Sequence, residues 1–211
     1  GQLAAMTTRQ VSSLSVGQIN AMGASDLASF TTTQFAAMTS AQIGAINATQ
    51  AASFEVADLA ALSTAQVRAL ATAAVAALST DALQGLTTAQ FAALTTAQVR
   101  AFDLADIDKI ETRDLVVMTT QQIAALTSAE VGALSSTQLQ ALTTAQVAAF
   151  TSGQLDALTG ADLSAFDSAQ IRALSVAQVA SLDSAQITGL DTVDLAAFTT
   201  AQVRALNTDV I

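Results

Sequence analysis

The chain has 211 residues, of which 52% are apolar and only 11% are charged, and its net charge is −10. The high apolar content excludes intrinsic disorder, and the absence of His and Cys excludes disulfides, imidazole or thiol catalysis and zinc sites built from those residues. The acidic balance predicts no binding to nucleic acid or to an anionic membrane, since both need clustered Lys and Arg. No apolar run approaches the roughly 18 residues of a membrane span, and no signal-peptide pattern opens the chain.

An eight-residue repeat runs through the chain without insertion or deletion. Large apolar residues recur every eighth residue from Leu3, with Ala51 as the one small member; we call these positions the first apolar column. The second apolar column begins at Met6, and all of its members are Leu, Phe, Met or Ile. The consensus unit reads V-x-A-L-T-T-A-Q, and about 26 copies follow one another over residues 1–211. We therefore predict a single continuous repeat domain.

The period excludes the simplest folds. Eight residues advance a continuous helix by about 80° beyond whole turns, so its apolar stripe would face no single partner. Coiled coils need a period near 3.5 or 3.67 residues, and strands need alternation by two. A β-solenoid with irregular coils stays open on spacing alone.

The remaining columns favour helices. The cap column, from Thr7, contains Ser, Thr, Asp or Asn in 22 of 26 repeats, and the N3 column, from Gln10, contains Gln, Asp or Glu in 23 of 26. Those two columns form a capping box, and the apolar residues before the cap and at N4 form a hydrophobic staple. We therefore predict one helix in every repeat, of at most about seven residues, for instance from Thr64 to Leu70.

Helices this short need tertiary packing, because nucleation costs more than two turns return. Stacked repeats supply it, so the predicted fold is an all-α solenoid. Five of the six Phe residues in the second apolar column share a 24-residue phase, which favours about three repeats per superhelical turn. The small column, from Ala5, contains Ala, Ser or Gly in 24 of 26 repeats and permits close helix approach, with Lys109 and Val117 as the exceptions. The outer column, from Ala4, varies freely and is expected to face solvent.

Most of the acidic residues fall between the cap and N3 positions, where the helix dipole stabilises negative charge. One local concentration could gather oxygen ligands for Ca²⁺: Asp103, Asp106, Asp108, Glu111 and Asp114. Four of these occupy ordinary cap or N3 positions, an EF-hand glycine is missing, and Lys109 and Arg113 neutralise part of the charge. We therefore predict no metal site and keep this cluster as the one candidate.

Neither a catalytic residue nor a cofactor site emerges. No His accompanies the Ser and Thr residues, no Ser-x-x-Lys arrangement is present, and no glycine-rich phosphate loop occurs. The sequence therefore predicts that the protein is not an enzyme.

Units such as Leu94–Phe102 and Leu142–Phe150 resemble the TTAQ(V/I)xAL octapeptide arrays of very large bacterial proteins labelled adhesin-like, haemolysin-like or "haem utilisation". The resemblance covers the whole chain and implies an extracellular or cell-surface setting in a bacterium. It carries over no functional residue. Haem ligation finds no support, because His, Cys and Tyr are absent and all four Met lie in the second apolar column.

These observations predict a structural scaffold or spacer within a large surface or secreted protein. The alternative is a binding module that recognises a protein or glycan through its variable face, with Arg68, Arg100, Arg172 and Arg204. The chain begins within a repeat at Gly1 and stops on an apolar residue, Ile211. Since solenoids need polar capping repeats, we expect a segment of a longer array whose uncapped ends stack on one another.

Overall fold

A computed structural model describes residues 2–206. Their regular secondary structure consists of twenty-four short α-helices and two 3-10 helices, with no strand among these residues. The all-helical prediction is thus confirmed. The chain divides into two compact units, one ending at Ile110 and the other beginning at Glu111.

The first unit contains the two 3-10 helices, Leu3–Ala5 and Leu104–Lys109, and twelve α-helices. These are α1 (Thr8–Ser13), α2 (Val16–Ala21), α3 (Ala24–Leu27), α4 (Thr32–Ala37), α5 (Ser40–Gly44), α6 (Ala48–Ala51), α7 (Val56–Ala61), α8 (Thr64–Ala69), α9 (Thr72–Val75), α10 (Thr80–Gln84), α11 (Thr88–Ala93) and α12 (Thr96–Val99).

The second unit contains the other twelve α-helices. These are α13 (Thr112–Leu115), α14 (Thr120–Ala125), α15 (Ser128–Gly132), α16 (Ser136–Ala141), α17 (Thr144–Ala148), α18 (Ser152–Leu155), α19 (Gly160–Leu163), α20 (Ser168–Ala173), α21 (Val176–Ala180), α22 (Ser184–Thr188), α23 (Thr192–Ala197) and α24 (Thr200–Ala205).

Each helix is four to six residues long, because the second apolar column leaves the helical region and begins the corner to the next helix. Leu142, which follows α16, has φ −60° and ψ 142°, and the cap residue Thr143 has φ −71° and ψ 156°. These angles are those of polyproline II, which any L-residue adopts. No residue in the range 2–206 has a positive φ, so the corners require neither Gly nor Pro.

Within each unit, a helix packs against the helices three positions before and three positions after it in chain order. In the first unit α4 packs against α1 and α7, and in the second unit α20 packs against α17 and α23. The same interval holds for the other strongly packed pairs within each unit. Three repeats therefore make one turn, which confirms the expected number of repeats per turn.

The core of each unit is formed by the two apolar columns. From Val11 to Ile187, every member of the first apolar column is at most 8% exposed, including the small Ala51. From Phe30 to Phe198, every member of the second column is also buried. The outer column is largely exposed, so the faces of the helices lie as the sequence predicts.

Two helices of the second unit approach closely where two glycines meet. A Cβ at Gly160, the first residue of α19, would lie 2.7 Å from the Gly189 Cα and 2.9 Å from the Ala185 carbonyl oxygen. Both contacts are to the backbone of the α22 region and cannot be relieved by a side-chain rotation. Glycine at both positions is therefore required by packing, since both residues have ordinary negative φ.

The prediction of one continuous solenoid over residues 1–211 stays a prediction, because each unit is defined by its own contacts. The terminal residues Gly1 and Ile211, on which the expectation of uncapped ends rests, lie outside the described residues.

We expect Gly160→Ala to lower the free energy of unfolding by roughly 1–3 kcal/mol, because the new methyl group overpacks the contact with Gly189. Gly153→Ala is the matched control: Gly153 lies in α18, where a Cβ would meet only Ser128 Oγ at 3.5 Å. Alanine there should stabilise by about 0.5–1 kcal/mol through its helix propensity. Urea denaturation of both variants measures the effect, and equal changes would contradict the close approach.

Candidate functional site

The N3 glutamine and the cap residue of each helix form a reciprocal pair of hydrogen bonds. At the start of α17, the Gln146 backbone N–H donates to Thr143 Oγ1 at 3.2 Å, and the Thr143 backbone N–H donates to Gln146 Oε1 at 2.8 Å. The two contacts satisfy two backbone donors at the start of the helix. The same pair of bonds recurs at most helix starts of both units, for example at Ser63 and Gln66.

The other end of the same amide group reaches the preceding turn. Gln146 Nε2 donates at 2.8 Å to the carbonyl oxygens of both Leu115 and Met118, at the end of α13. These acceptors lie 31 and 28 residues earlier in the sequence. We call such contacts the cross-turn bonds. They connect the corner between two helices to the corner one turn below.

The cross-turn bonds recur in both units with spacings of 31 and 28 residues, except at Gln178, whose two acceptors lie 30 and 28 residues earlier. In the first unit the donors are Gln34, Gln42, Gln50, Gln66, Gln90 and Gln98. In the second unit the donors are Gln146, Gln154, Gln170, Gln178, Gln186 and Gln202. All twelve side chains are buried. We call this set the glutamine row.

Each side chain of the row therefore forms hydrogen bonds with the terminal backbone groups of two helices. Its oxygen accepts from the backbone N–H of the cap residue of its own helix, and its nitrogen donates to two carbonyls at the end of a helix on the turn below. At Gln146, the Leu115 carbonyl also accepts from the Met118 backbone N–H, so the amide is an additional donor for Leu115 and the cross-turn donor for the Met118 carbonyl. A net contribution of about 0.5–1.5 kcal/mol per hydrogen bond is modest. Loss of the donor costs more, because a buried carbonyl, such as that of Met118, would be left unsatisfied.

Asp or Glu occupies some N3 positions, and the hydrogen-bond partners of these carboxylates differ from those of the glutamines. A carboxylate has no N–H to donate, so the cross-turn bonds are replaced by hydroxyl donors from a neighbouring turn. The Thr80 hydroxyl donates to Asp106, and Ser164 Oγ donates to Asp194 at 2.9 Å. The Thr32 hydroxyl likewise donates to Asp58. All three carboxylates are buried, with 6–8% of each residue exposed.

Burial raises the pKa of the Asp58 carboxyl above its ordinary value of 3.8, because desolvation penalises the charged form. Repulsion from Glu55, the cap residue of α7, raises that pKa further. Hydrogen bonds from the Glu55 backbone and the Thr32 side chain act in the opposite direction and only partly offset the burial. Ionisation of Asp58 thus opposes folding.

The acidic cluster expected from the sequence is dispersed over separate contacts. Asp103 caps the second 3-10 helix by accepting from the Ala105 backbone N–H at 3.0 Å, and Asp106 accepts from Thr80. Asp108 forms an ion pair with Lys109, and Arg113 Nε lies 3.0 Å from Glu111 and 3.6 Å from the buried Asp114. Within residues 2–206 no three acidic side chains are grouped closely enough to hold a metal ion.

The four arginines of the predicted variable face do not share one stack within either unit. Arg68 lies in α8, which packs against α11, whereas Arg100 follows α12, which packs against α9. Arg172 lies in α20 and Arg204 in α24, and these helices pack against α17 and α21 respectively. Arg172 also supports the fold, since its Nε donates to the Ala197 carbonyl at 3.2 Å.

Sequence reasoning assigned the N3 glutamines only to capping and missed their cross-turn role. A signal was available, because capping boxes accept Glu as readily as Gln, yet the N3 column contains 16 Gln and only seven acids. That excess indicates that the side chain must donate as well as accept. The acceptor could not be named without knowing which corners lie above one another.

Short helices that stack at every third repeat and are connected by buried side chains define an α-helical repeat protein of the solenoid type. The chain belongs to the ALTTAQ repeat family, whose model matches residues 19–56, 51–88, 75–104, 107–144, 131–160 and 160–192. The TTAQ-type array inferred from the sequence is thereby confirmed as a repeat type. A search of curated proteins found no match.

We expect Gln146→Glu to lower the free energy of unfolding at pH 7 by at least about 2 kcal/mol. The substitution keeps the acceptor for Thr143, but it removes both cross-turn donors and buries a charge beside the Leu115 and Met118 carbonyls. Gln10→Glu is the control, since Gln10 is exposed and makes the same capping bonds with Thr7. If Gln10→Glu destabilises as much as Gln146→Glu in chemical denaturation, capping rather than the cross-turn bond is the stabilising role.

We expect Asp58→Gln to raise the free energy of unfolding at pH 7 by about 1–3 kcal/mol, because the amide can donate as the glutamine row does. The advantage should shrink as the pH falls toward 3.8. The raised pKa of Asp58 makes the folded state bind the proton more tightly, so the wild type loses stability as the pH rises through that pKa. Urea titrations at pH 4, 5 and 7 measure the difference. Asp156→Gln, at an exposed position, should change stability little, and a pH-independent gain for Asp58→Gln would contradict the charge effect.

Proposed function

We propose that this chain is a structural spacer, a non-catalytic scaffold segment of a large bacterial surface or secreted protein. The observation that carries the proposal is the regular recurrence of the cross-turn bonds at spacings of 31 and 28 residues in both units. A spacer needs units that repeat the same geometry and resist sliding past one another. Bonds that fix each corner to the corner below provide both properties.

The glutamine row supports stiffness in a way that apolar packing alone does not. Dispersion and hydrophobic contacts are non-directional, so a helix can slide along its neighbour at modest cost. A buried amide that must reach two carbonyl oxygens within hydrogen-bond distance permits one register only. Sliding by one residue would leave a buried donor and a buried acceptor unsatisfied, as at Gln98 and the Leu70 carbonyl, whereas the Val67 carbonyl would keep its bond from the Leu70 backbone N–H.

The outer surface supports the same function. The exposed first, second and fifth helix positions are mostly Ala, Ser and Thr in both units. Small uncharged side chains offer few groups for binding a partner, and such a surface is suitable for a segment that separates other parts of a protein. No helix within residues 2–206 combines the length and hydropathy needed to cross a bilayer.

The bacterial and extracellular setting rests on the resemblance of the repeat to the octapeptide arrays of adhesin-like proteins. Membership of the ALTTAQ repeat family supports a repeat module, and the absence of Cys is compatible with secretion. The lack of catalysis rests on the side chains present, since neither unit contains a His or Cys to activate a Ser or Thr hydroxyl.

A binding role through the arginines has less support. Arg68 and Arg100 lie in different stacks of the first unit, and Arg172 and Arg204 in different stacks of the second. Within a unit, the two guanidinium groups therefore do not lie one above the other on a common face.

The spacer proposal is tested by distances within the second unit. Gln121, Ala145, Ala169 and Val193 are exposed second residues of α14, α17, α20 and α23, which form one stack. Each can be replaced by a spin-labelled Cys, because the chain has no Cys of its own. Helices pack about 8–10 Å apart, so we expect about 20 Å for the 121/169 pair and about 30 Å for the 121/193 pair, with narrow distributions.

The 145/193 pair is the internal control and should give the same distance as the 121/169 pair, because each spans two turns of the stack. Broad distributions, or a 121/193 distance that does not exceed the 121/169 distance by about half, would refute a stiff spacer. A change in these distances on adding a glycan or protein ligand would instead favour the binding module.

A further inference from the structure

The turns of the first unit are not equally well connected by cross-turn bonds. We number four complete turns of that unit in chain order: residues 6–29, 30–53, 54–77 and 78–101. The second turn is bonded to the first by all three of its N3 side chains: Gln34, Gln42 and Gln50. The third turn is bonded to the second by Gln66 alone, because its other two N3 residues are Asp58 and Ala74.

The contact between the second and third turns has fewer cross-turn bonds than any other contact between complete turns that lies within one unit of residues 2–206. The fourth turn of the first unit retains two donors, and so do the turns formed by residues 150–173 and 174–197 of the second unit. These donors, two for each turn in chain order, are Gln90, Gln98, Gln154, Gln170, Gln178 and Gln186.

The corner at Ala74 leaves a buried carbonyl without a donor. At the equivalent corner of the second turn, Gln50 Nε2 donates to the Met22 carbonyl oxygen at 2.9 Å. Ala74 has no side-chain donor, and the carbonyl oxygen of Ile46, 28 residues earlier, accepts no hydrogen bond from any of residues 2–206. Ile46 is only 1% exposed. A buried carbonyl without a donor destabilises the closed contact relative to a state in which water reaches that oxygen.

The corner at Asp58 has the same deficiency. The Thr32 hydroxyl donates to the Asp58 carboxylate, but the carbonyl oxygen of the buried Phe30 accepts no hydrogen bond within the described part of the chain. The helices above these two corners also lack a stabilising feature of the other repeats, since neither Glu55 of α7 nor Ala71 of α9 forms a side-chain cap bond. Two of the three helices of the third turn are therefore less firmly held.

The remaining corner of this contact is complete. Gln66 Nε2 donates to the Met38 carbonyl oxygen at 2.7 Å, and Gln66 Oε1 accepts from the Ser63 backbone N–H at 2.6 Å. The helix that begins there, α8, packs directly against α5 of the second turn. The third turn is thus secured at one corner and lacks amide donors at the other two.

We propose that the contact between the second and third turns is a hinge within the first unit. The two turns separate at Asp58 and Ala74, while Gln66 keeps its bond to the second turn and acts as the pivot. On opening, water donates to the carbonyl oxygens of Phe30 and Ile46, which lack donors in the closed state. This inference concerns where the unit opens, and it goes beyond the spacer role proposed above.

The apolar core limits how often the hinge opens. Separation of the two turns exposes first-column residues such as Leu59 and Val75, which are at most 4% exposed in the closed unit. Exposure of such side chains to water is unfavourable, so the open state is a minor population in equilibrium with the closed one. A method that traps the open state is therefore needed to detect it.

Thiol labelling provides such a method, because the chain has no Cys of its own. Ala74→Cys places a thiol at the proposed opening, and Ala82→Cys is the matched control, since Ala82 is the N3 alanine of the fourth turn and both alanines are at most 1% exposed. Each rate is divided by that of the same variant unfolded in urea. We expect an aromatic disulfide reagent to label folded Ala74→Cys about tenfold faster than folded Ala82→Cys, or more.

Asp58→Gln supplies an amide donor at another corner of the same contact. It should slow the labelling of Ala74→Cys by about tenfold and leave that of Ala82→Cys within about twofold of its original rate. Equal labelling of the two Cys variants, or faster labelling of Ala82→Cys, would overturn the hinge, because the thiols would then be exposed by unfolding of the whole unit or by opening elsewhere. Equal slowing of both by Asp58→Gln would overturn it too.

Hydrogen exchange of the wild-type chain replaces labelling if circular dichroism shows either Cys variant to be unfolded. The matched helices are α9 and α12, which have the same length and differ only in that Ala74 occupies the N3 position of α9 and Gln98 that of α12. We expect the α9 amides to exchange about tenfold faster than the α12 amides. Equal rates for the two helices would contradict the hinge. Neither result bears on the spacer role, which is tested by distances in the second unit.

Discussion

The fold depends on one side-chain amide that must donate and accept at the same time. In each repeat of the glutamine row, Oε1 completes the start of one helix and Nε2 completes the end of another on the turn below, as Gln154 does for Thr151, Ile123 and Leu126. Helices of four to six residues have more terminal backbone groups than internal hydrogen bonds, so they require such external partners. Glutamine supplies both kinds of partner from a single buried position.

The N3 positions that contain Asp instead of Gln show that the donor role of the glutamine amide is harder to replace than its acceptor role. A carboxylate keeps the acceptor, so the capping bond survives at Asp194, where the Asp191 backbone N–H donates to Oδ2 at 3.1 Å. The missing donor is not restored. Instead a hydroxyl approaches the carboxylate, as Ser164 does for Asp194. The exchange satisfies the carboxylate but supplies no amide donor to the lower turn, and at Asp58 it places a charge where burial opposes ionisation. Isolated substitutions of this kind are tolerated because neighbouring repeats retain the complete arrangement.

The sequence was enough to predict the parts of the fold that depend on interactions between residues close together in the chain. Cap residues such as Ser63, with Gln66 three positions later, predicted where each helix begins, and the two apolar columns predicted the core. The 24-residue phase of Phe30, Phe54 and Phe102 indicated three helices per turn, which the packing of α5 against α8 bears out. The cross-turn bond lay beyond such reasoning, because its acceptors at Phe35 and Met38 are 31 and 28 residues away from Gln66 and are backbone atoms that carry no residue signature. The contact between Gly160 and Gly189 is hidden for a similar reason, since neither residue occupies a turn that requires glycine.

The corners explain why so regular an array can tolerate an irregular sequence. Each corner consists of two residues near the polyproline II region, a conformation that imposes no side-chain requirement, so only the apolar residue and its cap are constrained there. Outer positions are free to vary because they contact solvent. Variation is restricted where the next turn approaches. There a large side chain on one helix is matched by a small one on another: Val56 Cγ1 overlaps the position that a Cβ at Gly85 would take. This pairing of a large with a small side chain allows the two helices to approach closely, and close, regular approach between turns is what the proposed spacer role requires.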